Sequence, residues 1–153
     1  MRVSAKTDYA LRAAVELAAA HGDGTPVKGE RLATSQAIPL RFLENILLQL
    51  RHAGIVESRR GADGGYRLAR TPEEITLADV IRAIDGPLAG VSGQRPETLD
   101  FRGTSEPLRD VWIAVRASLR GVLEGVTLAD VASGGLPEHV RALTDEPDAW
   151  VPH

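Results

Sequence analysis

The sequence predicts a mainly α-helical chain with one small β-hairpin. Apolar residues recur at the three-and-four spacing of amphipathic helices through much of the 153 residues. One glycine-rich stretch, by contrast, is flanked by two short runs typical of paired strands. Hydrophobic residues make up 43% of the chain, which is enough for one ordinary core but not for two full domains.

Three helices are predicted at the start of the chain. The first covers residues 6–21, the second about 28–35, and the third runs from Pro39 to about His52. A loop rich in Gly and Pro separates the first two helices, whereas a turn of three residues separates the second from the third. Pro39 suits a first helical turn because its missing N–H costs nothing there, and Gly54 ends the helix.

A hairpin follows the third helix. Strand-like runs at 55–60 and 66–70 flank the turn formed by residues 61–65. Helix, helix, turn, helix and hairpin, in that order, form a winged helix-turn-helix. A further helix capped by Thr76 completes this predicted domain, which covers residues 1–85.

The rest of the chain divides into three segments. Residues 86–104 are rich in Gly and Pro and are expected to form an irregular loop. A long amphipathic helix at about 105–125 and a short helix after it make up the segment 105–132. Residues 133–153 show no periodicity and are expected to form a flexible tail.

Charge is distributed unevenly along the chain. Residues 1–70 hold 11 Lys and Arg against 7 Asp and Glu, whereas residues 71–153 hold 7 against 14. The net charges are therefore +4 and −7, although the whole chain carries only −3. A basic front and an acidic rear are expected of a protein whose front faces phosphates. The predicted partner is double-stranded DNA.

The third helix and the hairpin supply the candidate DNA-binding residues. The helix has the size to enter the major groove, where Arg41 can pair with guanine, Asn45 with adenine and Glu44 with a cytosine amine. Guanidinium groups at the base of the hairpin can enter a narrow minor groove. The full set of candidates is Leu40, Arg41, Glu44, Asn45, Arg51, Arg59 and Arg60. Alternatively, these side chains form a solvated surface, and the winged helix serves as a protein–protein interaction module.

The long helix near the end of the chain predicts a homodimer. Its apolar stripe, Leu108, Val111, Trp112, Val115, Leu119 and Val122, is more extensive than one small winged helix can cover. A two-fold dimer would present two recognition helices about 34 Å apart, one turn of DNA.

Several classes of function are not expected. The absence of cysteine rules out disulfides, thiol catalysis and thiolate metal sites, and the histidines lack metal-ligand spacing. No residue grouping suggests a catalytic site or a nucleotide-binding turn, so neither an enzyme nor a cofactor or metal site is predicted. No apolar stretch is long enough to cross a membrane and no signal peptide is recognisable, so a cytoplasmic protein is expected.

Four runs of residues resemble one known family: KTDYALR from residue 6, IPLRFLE from 38, LRHAGIV from 50 and RRGADGGYRL from 59. In this order they strongly resemble the Rrf2 family of bacterial transcription regulators, over roughly residues 1–132. The resemblance implies a winged helix, a C-terminal dimerisation helix, and repression more often than activation at palindromic operators. It also implies that the positions of Leu40, Arg41, Glu44 and Asn45 face bases and that Arg60 enters the minor groove.

The sequence departs from the family in three places. The best-known members hold an iron–sulfur cluster with three cysteines in the loop that matches residues 86–104, and this chain has none. A cluster-free regulator is therefore expected, controlled by a small ligand or a partner protein. The loop either packs as inert structure or borders a pocket in which Trp112 and Arg95 or Arg102 meet an anion. In addition, Ala37 replaces the usual turn glycine, and Asp63 places a negative charge at the tip of the wing.

Overall fold

A computed structural model describes residues 3–152 and confirms the mainly helical class with one antiparallel hairpin. Along the chain, the helices and strands are α1 (Ala5–Ala19), α2 (Gly29–Gln36), α3 (Leu40–His52), β1 (Val56–Arg59), β2 (Gly65–Leu68), α4 (Leu77–Asp85), α5 (Leu108–Leu123), α6 (Leu128–Ser133) and α7 (Glu138–Thr144). Short 3-10 turns are the only helical structure between α4 and α5. No helix in the described range 3–152 is both long and apolar enough to span a bilayer.

The core lies where α1, α3 and the hairpin meet. Four residues of α3, Leu43, Ile46, Leu47 and Leu50, are fully buried at 0% exposure. They pack in one cluster with alanines of α1 and with apolar residues of β1 and β2. Because this face of α3 is committed to the core, only the opposite face of the helix is available to a partner.

The wing is joined to the segment before α2 as well as folded on itself. Val27 and Tyr66 exchange two backbone hydrogen bonds, each with an N···O distance of 2.8 Å. Val27 thereby adds a one-residue bridge to the outer side of β2. The hairpin is consequently fixed to the helix-turn-helix at both of its strands.

The pentapeptide TLADV occurs twice, at 76–80 and at 127–131, and both copies begin a helix. Thr76 and Thr127 each form a capping box with the aspartate three residues later, as expected for helix N-termini. The two starts also pair with each other, since Leu77 N–H donates to Val126 O at 3.0 Å and Leu128 N–H to Ile75 O at 2.9 Å. This pairing brings α6 back onto the N-terminal core.

The structure differs from the sequence-based expectation at Phe42. Spacing places Phe42 in the buried stripe of α3, but its exposed fraction is 41%. Its ring packs edge-on against Tyr9, with 5.8 Å between the centroids. Phe42 therefore lies at the margin of the buried face of α3, where its ring contacts α1 through Tyr9.

The predicted tail is also different in the structure. Residues after 132 are expected to lack regular structure, but α7 and a 3-10 turn at Pro147–Trp150 lie there. No residue of α7 is buried, and the Trp150 indole N–H donates to Thr144 O at 2.6 Å. Local hydrogen bonds therefore form this segment, and an apolar period is not needed to produce it.

Candidate nucleic-acid interface

The outward face of α3 holds the predicted base-contacting residues. Arg41, Glu44 and Asn45 are exposed, and Leu40 is 37% exposed at the start of the helix. These four lie within the first two turns, opposite the buried leucines. They form one continuous polar surface of the size that the major groove accepts.

Arg51 does not share this surface. It lies one and a half turns beyond Asn45, and its guanidinium donates to Ser58 Oγ on β1 at 3.1 Å. The structure therefore assigns Arg51 to the junction of α3 and the wing. The sequence alone could not show this, because the contact depends on how the hairpin folds back.

A hydrogen-bonded chain crosses from α1 to α3. Lys6 Nζ donates to Gln49 Oε1 at 2.9 Å, and Gln49 Nε2 donates to Asn45 Oδ1 at 2.8 Å. An ammonium group can only donate, so it determines which end of the Gln49 amide faces it. That orientation in turn leaves the Asn45 NH₂ group pointing away from Gln49. Lys6 was not predicted as a site residue, and no spacing pattern connects it to a residue 43 positions away.

Two glycines determine the shape of the wing. A Cβ on Gly64 would lie 2.2 Å from Arg59 O, and a Cβ on Gly65 would lie 2.5 Å from Val27 O. Gly65 also has a φ of 152°, a conformation that side chains disfavour. The Gly-Gly pair therefore permits both the tight turn and the close approach of Val27.

Positive charge on the wing lies at the turn end of the hairpin, and the expected position of the arginines at its base is wrong, because Arg59 pairs with Gly65 directly before the turn and Arg60 lies in the turn. Arg67 pairs with Glu57, its cross-strand neighbour in the register, whereas Arg59 and Arg60 are exposed and form no ion pair with any residue from 3 to 152. Lys28 reaches the wing tip, where its Nζ donates to Ala62 O at 2.7 Å. Positive charge near the wing tip is thus available to phosphates or to a minor groove.

Helix α5 has no buried residue among those described. Three of its large apolar side chains are widely exposed: Leu108 at 44%, Val111 at 51% and Val115 at 39%. With Leu119 they belong to one apolar face of the helix. The rest of the chain does not cover this face.

The loop at 86–104 borders two separate cavities. One, of about 250 Å³, is lined by Trp112 and loop residues 87–91, and Asp85 is its ionisable group. The other, of about 300 Å³, is lined by Arg95 and by arginines of α4 and α5. Arg102 lines neither and pairs with Asp100 at 2.6 Å. Trp112 and Arg95 therefore do not share a pocket, and the Trp112 cavity presents a carboxylate, which is unsuited to an anion.

Two carboxyl groups beside the second cavity are strongly influenced by arginines. Hydrogen bonds from Arg82 and Arg120 lower the pKa of Glu124. A backbone hydrogen bond lowers the pKa of Glu97, and Arg116 adds to the effect. Both groups are therefore held in the charged form.

Comparison with known proteins identifies the family. A profile of the Rrf2 family, described as iron-dependent transcriptional regulators, matches residues 3–134. The chain belongs to the Rrf2 family. The HTH-type regulator Rv1287 of Mycobacterium tuberculosis is 54% identical over 146 residues, which cover 95% of this chain and 90% of that protein. CymR of Bacillus subtilis is 38% identical over 133 residues, 87% of this chain and 91% of CymR.

Solved structures of Rrf2 regulators show the same fold. CymR, the global cysteine regulator of B. subtilis, has a TM-score of 0.75 at 35% identity, covering 89% of this chain and 99% of its own. IscR of T. potens has a TM-score of 0.69 at 33% identity, covering 100% and 93%. This Rrf2 protein is therefore a DNA-binding transcription regulator with a winged helix, and it is not an enzyme.

The family description mentions iron, but the donor atoms of this chain do not fit an iron–sulfur cluster. The sequence contains no cysteine, so no thiolate is present to bind cluster iron. Within residues 3–152, no group of three or more His, Cys, Asp or Glu side chains is placed to hold a metal ion.

Proposed function

We propose that this Rrf2 protein is a homodimeric repressor that binds a palindromic operator in the cytoplasm. The observation that carries the proposal is the division of α3 into two faces. Leu43, Ile46 and Leu47 commit one face to the core, whereas Arg41 and Asn45 on the other carry the donors and acceptors that read base edges. In this proposal α3 enters the major groove.

The wing provides the second contact with DNA. Arg59 and Arg60 are exposed cations at the turn end of the hairpin, and the bridge to Val27 holds the hairpin in position. A guanidinium is well suited to a narrow A·T-rich minor groove, where the negative potential is enhanced. Binding is therefore expected to require both α3 and the wing, and to weaken steeply with salt.

The apolar face of α5 supports the dimer, with a second copy of the chain as its occupant. Leu108, Val111, Trp112, Val115, Leu119 and Val122 are all partly or widely exposed in the single chain. Completing the burial of such a half-exposed side chain is worth about 1 kcal/mol. Because the two copies are related by a two-fold axis, each such residue counts twice.

Binding to operator DNA can be tested with single substitutions. Operator sequences are first selected from random duplexes with the purified protein. Arg41→Ala, Asn45→Ala and Arg60→Ala are each expected to cost about 1–3 kcal/mol, or roughly 5- to 150-fold in affinity. Arg141→Ala, which removes an arginine from α7, is the matched control and should have no effect. If the three variants bind as the control does, α3 and the wing are not the DNA-binding surface.

The dimer can be tested by mass measurement. Val115→Glu combined with Leu119→Glu places charges on the apolar face and should give monomers with greatly reduced operator affinity. Ala117→Glu, the control, adds one glutamate on the opposite side of α5, where residue 117 is exposed, and should leave the dimer intact. A wild-type protein of protomer mass at micromolar concentration would contradict the proposal.

A further inference from the structure

We propose that the arginine-lined cavity between α4, the 86–104 loop and α5 binds a small polyanion that carries at least two carboxylate or phosphate groups. Four arginines line this cavity, Arg82, Arg95, Arg116 and Arg120, together with Glu97. We refer to these four arginines as the arginine cluster. The cavity has a volume of about 300 Å³, at the lower end of the range for small-molecule sites and too small for a polymer.

The composition of this part of the chain makes the cluster unexpected. Residues 71–153 contain seven arginines, no lysine and 14 acidic residues. Four of the seven arginines meet in one cavity although the segment as a whole carries a charge of −7. Acidic surroundings lower the concentration of anions near the surface, so the cluster would provide a local exception.

The nearby carboxylates do not neutralise the cluster. Glu124 accepts hydrogen bonds from both Arg82 and Arg120, so two cations share one anion. Glu97 accepts from Arg116 at 2.6 Å. Arg95 forms no ion pair with any residue of the described chain. Four guanidinium groups and two carboxylates leave a net charge of +2 around the cavity.

Stability alone does not explain the arrangement. The side chains of Arg82, Arg120 and Glu124 are 39%, 54% and 34% exposed. Ion pairs in such surroundings add little to the stability of a protein, because water screens them. Each guanidinium has five N–H donors in a planar fork that matches a carboxylate or a phosphate, and two glutamates cannot satisfy twenty such donors. A polyanion would satisfy the remainder.

The location of the cluster gives the ligand a regulatory role, which rests on the proposed function. Arg82 belongs to α4 of the winged helix, Arg95 to the loop, and Arg116 and Arg120 are one turn apart on α5. A bound polyanion would therefore connect the DNA-binding part to the proposed dimerisation helix. A ligand that binds one arrangement of these parts more tightly than another shifts the protein toward that arrangement. The change in operator affinity is limited by this difference in ligand affinity.

The test uses the full chain with pyrophosphate and citrate as probes, so that phosphate and carboxylate are compared. Calorimetry and thermal unfolding at low salt should show saturable binding of at least one probe, while acetate at equal ionic strength should have no effect. Arg95→Gln and Arg120→Gln should each raise the Kd at least ~10-fold, about 1.4 kcal/mol. Arg102→Gln in the same loop and Arg109→Gln on the same helix are the matched controls. Circular dichroism verifies that every variant is folded.

Three results would overturn the proposal: no saturable binding at millimolar probe, equal loss in the control and cluster variants, or competition by a random DNA duplex. The last result would make the cavity a contact for the DNA backbone. Because probe binding is measured without DNA, it is independent of operator binding. If the proposed regulatory function were wrong, these measurements would still test the anion site on their own.

Discussion

Replacing Lys6 by methionine should reduce sequence discrimination at one base pair of the operator. Lys6 orients the amide of Gln49, and Gln49 orients the amide of Asn45, through contacts of 2.9 and 2.8 Å. Asparagine reads adenine by accepting from N6 with Oδ1 and donating to N7 with Nδ2. The hydrogen bonds from Lys6 through Gln49 leave the Asn45 NH₂ group free to donate to adenine N7. The second lone pair of Asn45 Oδ1 can still accept from adenine N6.

The size of the effect follows from how far the Asn45 amide loses its orientation. Without the ammonium group, Gln49 can take either of two amide orientations, and Asn45 then has the same freedom. If both orientations of Asn45 become equally populated, the correct one falls to about one half, which costs roughly 0.4 kcal/mol. The upper limit is the loss of the whole Asn45 contact, about 1–3 kcal/mol. We therefore expect at least about a 2-fold loss of discrimination at the base pair that Asn45 reads.

Fluorescence anisotropy at fixed salt would measure this with a set of operators, each altered at one base pair. Lys6→Arg retains a donor and should keep the discrimination. Lys28→Met removes a lysine whose ammonium group binds the wing carbonyl of Ala62 instead, so it should weaken all sequences equally. Gln49→Glu keeps the contact with Lys6 but cannot donate to Asn45, and should match Lys6→Met. A uniform loss of affinity in Lys6→Met would show that Lys6 only neutralises a phosphate, and would refute the reasoning.

Three further predictions concern stability. Ala37→Gly should raise the free energy of unfolding by about 0.5–1 kcal/mol, because the left-handed strain of alanine exceeds the extra chain entropy of glycine; an unchanged urea midpoint would contradict this. Gly65→Ala should lower the urea midpoint of unfolding much more than Gly22→Ala does. A Cβ at Gly65 would lie 2.5 Å from Val27 O, whereas a Cβ at Gly22 would meet nothing within 4 Å. The pKa of Glu124 is depressed in the folded chain, so its charge stabilises the fold above the ordinary value of 4.5, and this contribution is lost as pH falls through the lower folded pKa. The free energy of unfolding of wild type should therefore exceed that of Glu124→Gln near neutral pH, and this difference should disappear on acidification. A difference in unfolding free energy that is constant with pH would be evidence against this cause.

Local signals explain why most elements could be predicted from the sequence. Thr76 with Asp79 forms the expected capping box, and the spacing of Leu43, Ile46 and Leu50 correctly predicts which face of α3 is buried. These features depend on residues three or four positions apart, so a single sequence contains them. The expected outward positions on α3 are exposed for the same reason, although their contact with DNA stays a prediction.

Contacts between distant residues could not be predicted in this way. The ammonium of Lys6 meets α3 only because α1 and α3 pack together, and Arg51 turns to the wing because the hairpin folds back onto its helix. The sequence could not predict the left-handed conformation of Ala37, with φ 53°, because alanine gives no signal for it. Phe42 follows the apolar spacing and yet is 41% exposed, since the margin of a buried face depends on its neighbours.

The first turn of α1 lies between the end of α4, just before the 86–104 loop, and the proposed DNA-binding surface of α3. Asp85, the last residue of α4, accepts from Thr7 Oγ1 at 2.5 Å, and Thr7 is only 1% exposed. Lys6, beside Thr7, controls the amides on α3. A movement of the loop that withdrew Asp85 would remove the charged acceptor of the buried Thr7 hydroxyl, at a cost of about 1–3 kcal/mol, and leave Ser4 Oγ at 3.1 Å as its partner. Coupling energies between regulatory and functional sites are typically of that same size. The hydrogen bond of Thr7 to Asp85 is therefore comparable in energy to such a coupling, and Thr7 lies beside Lys6 in the first turn of α1.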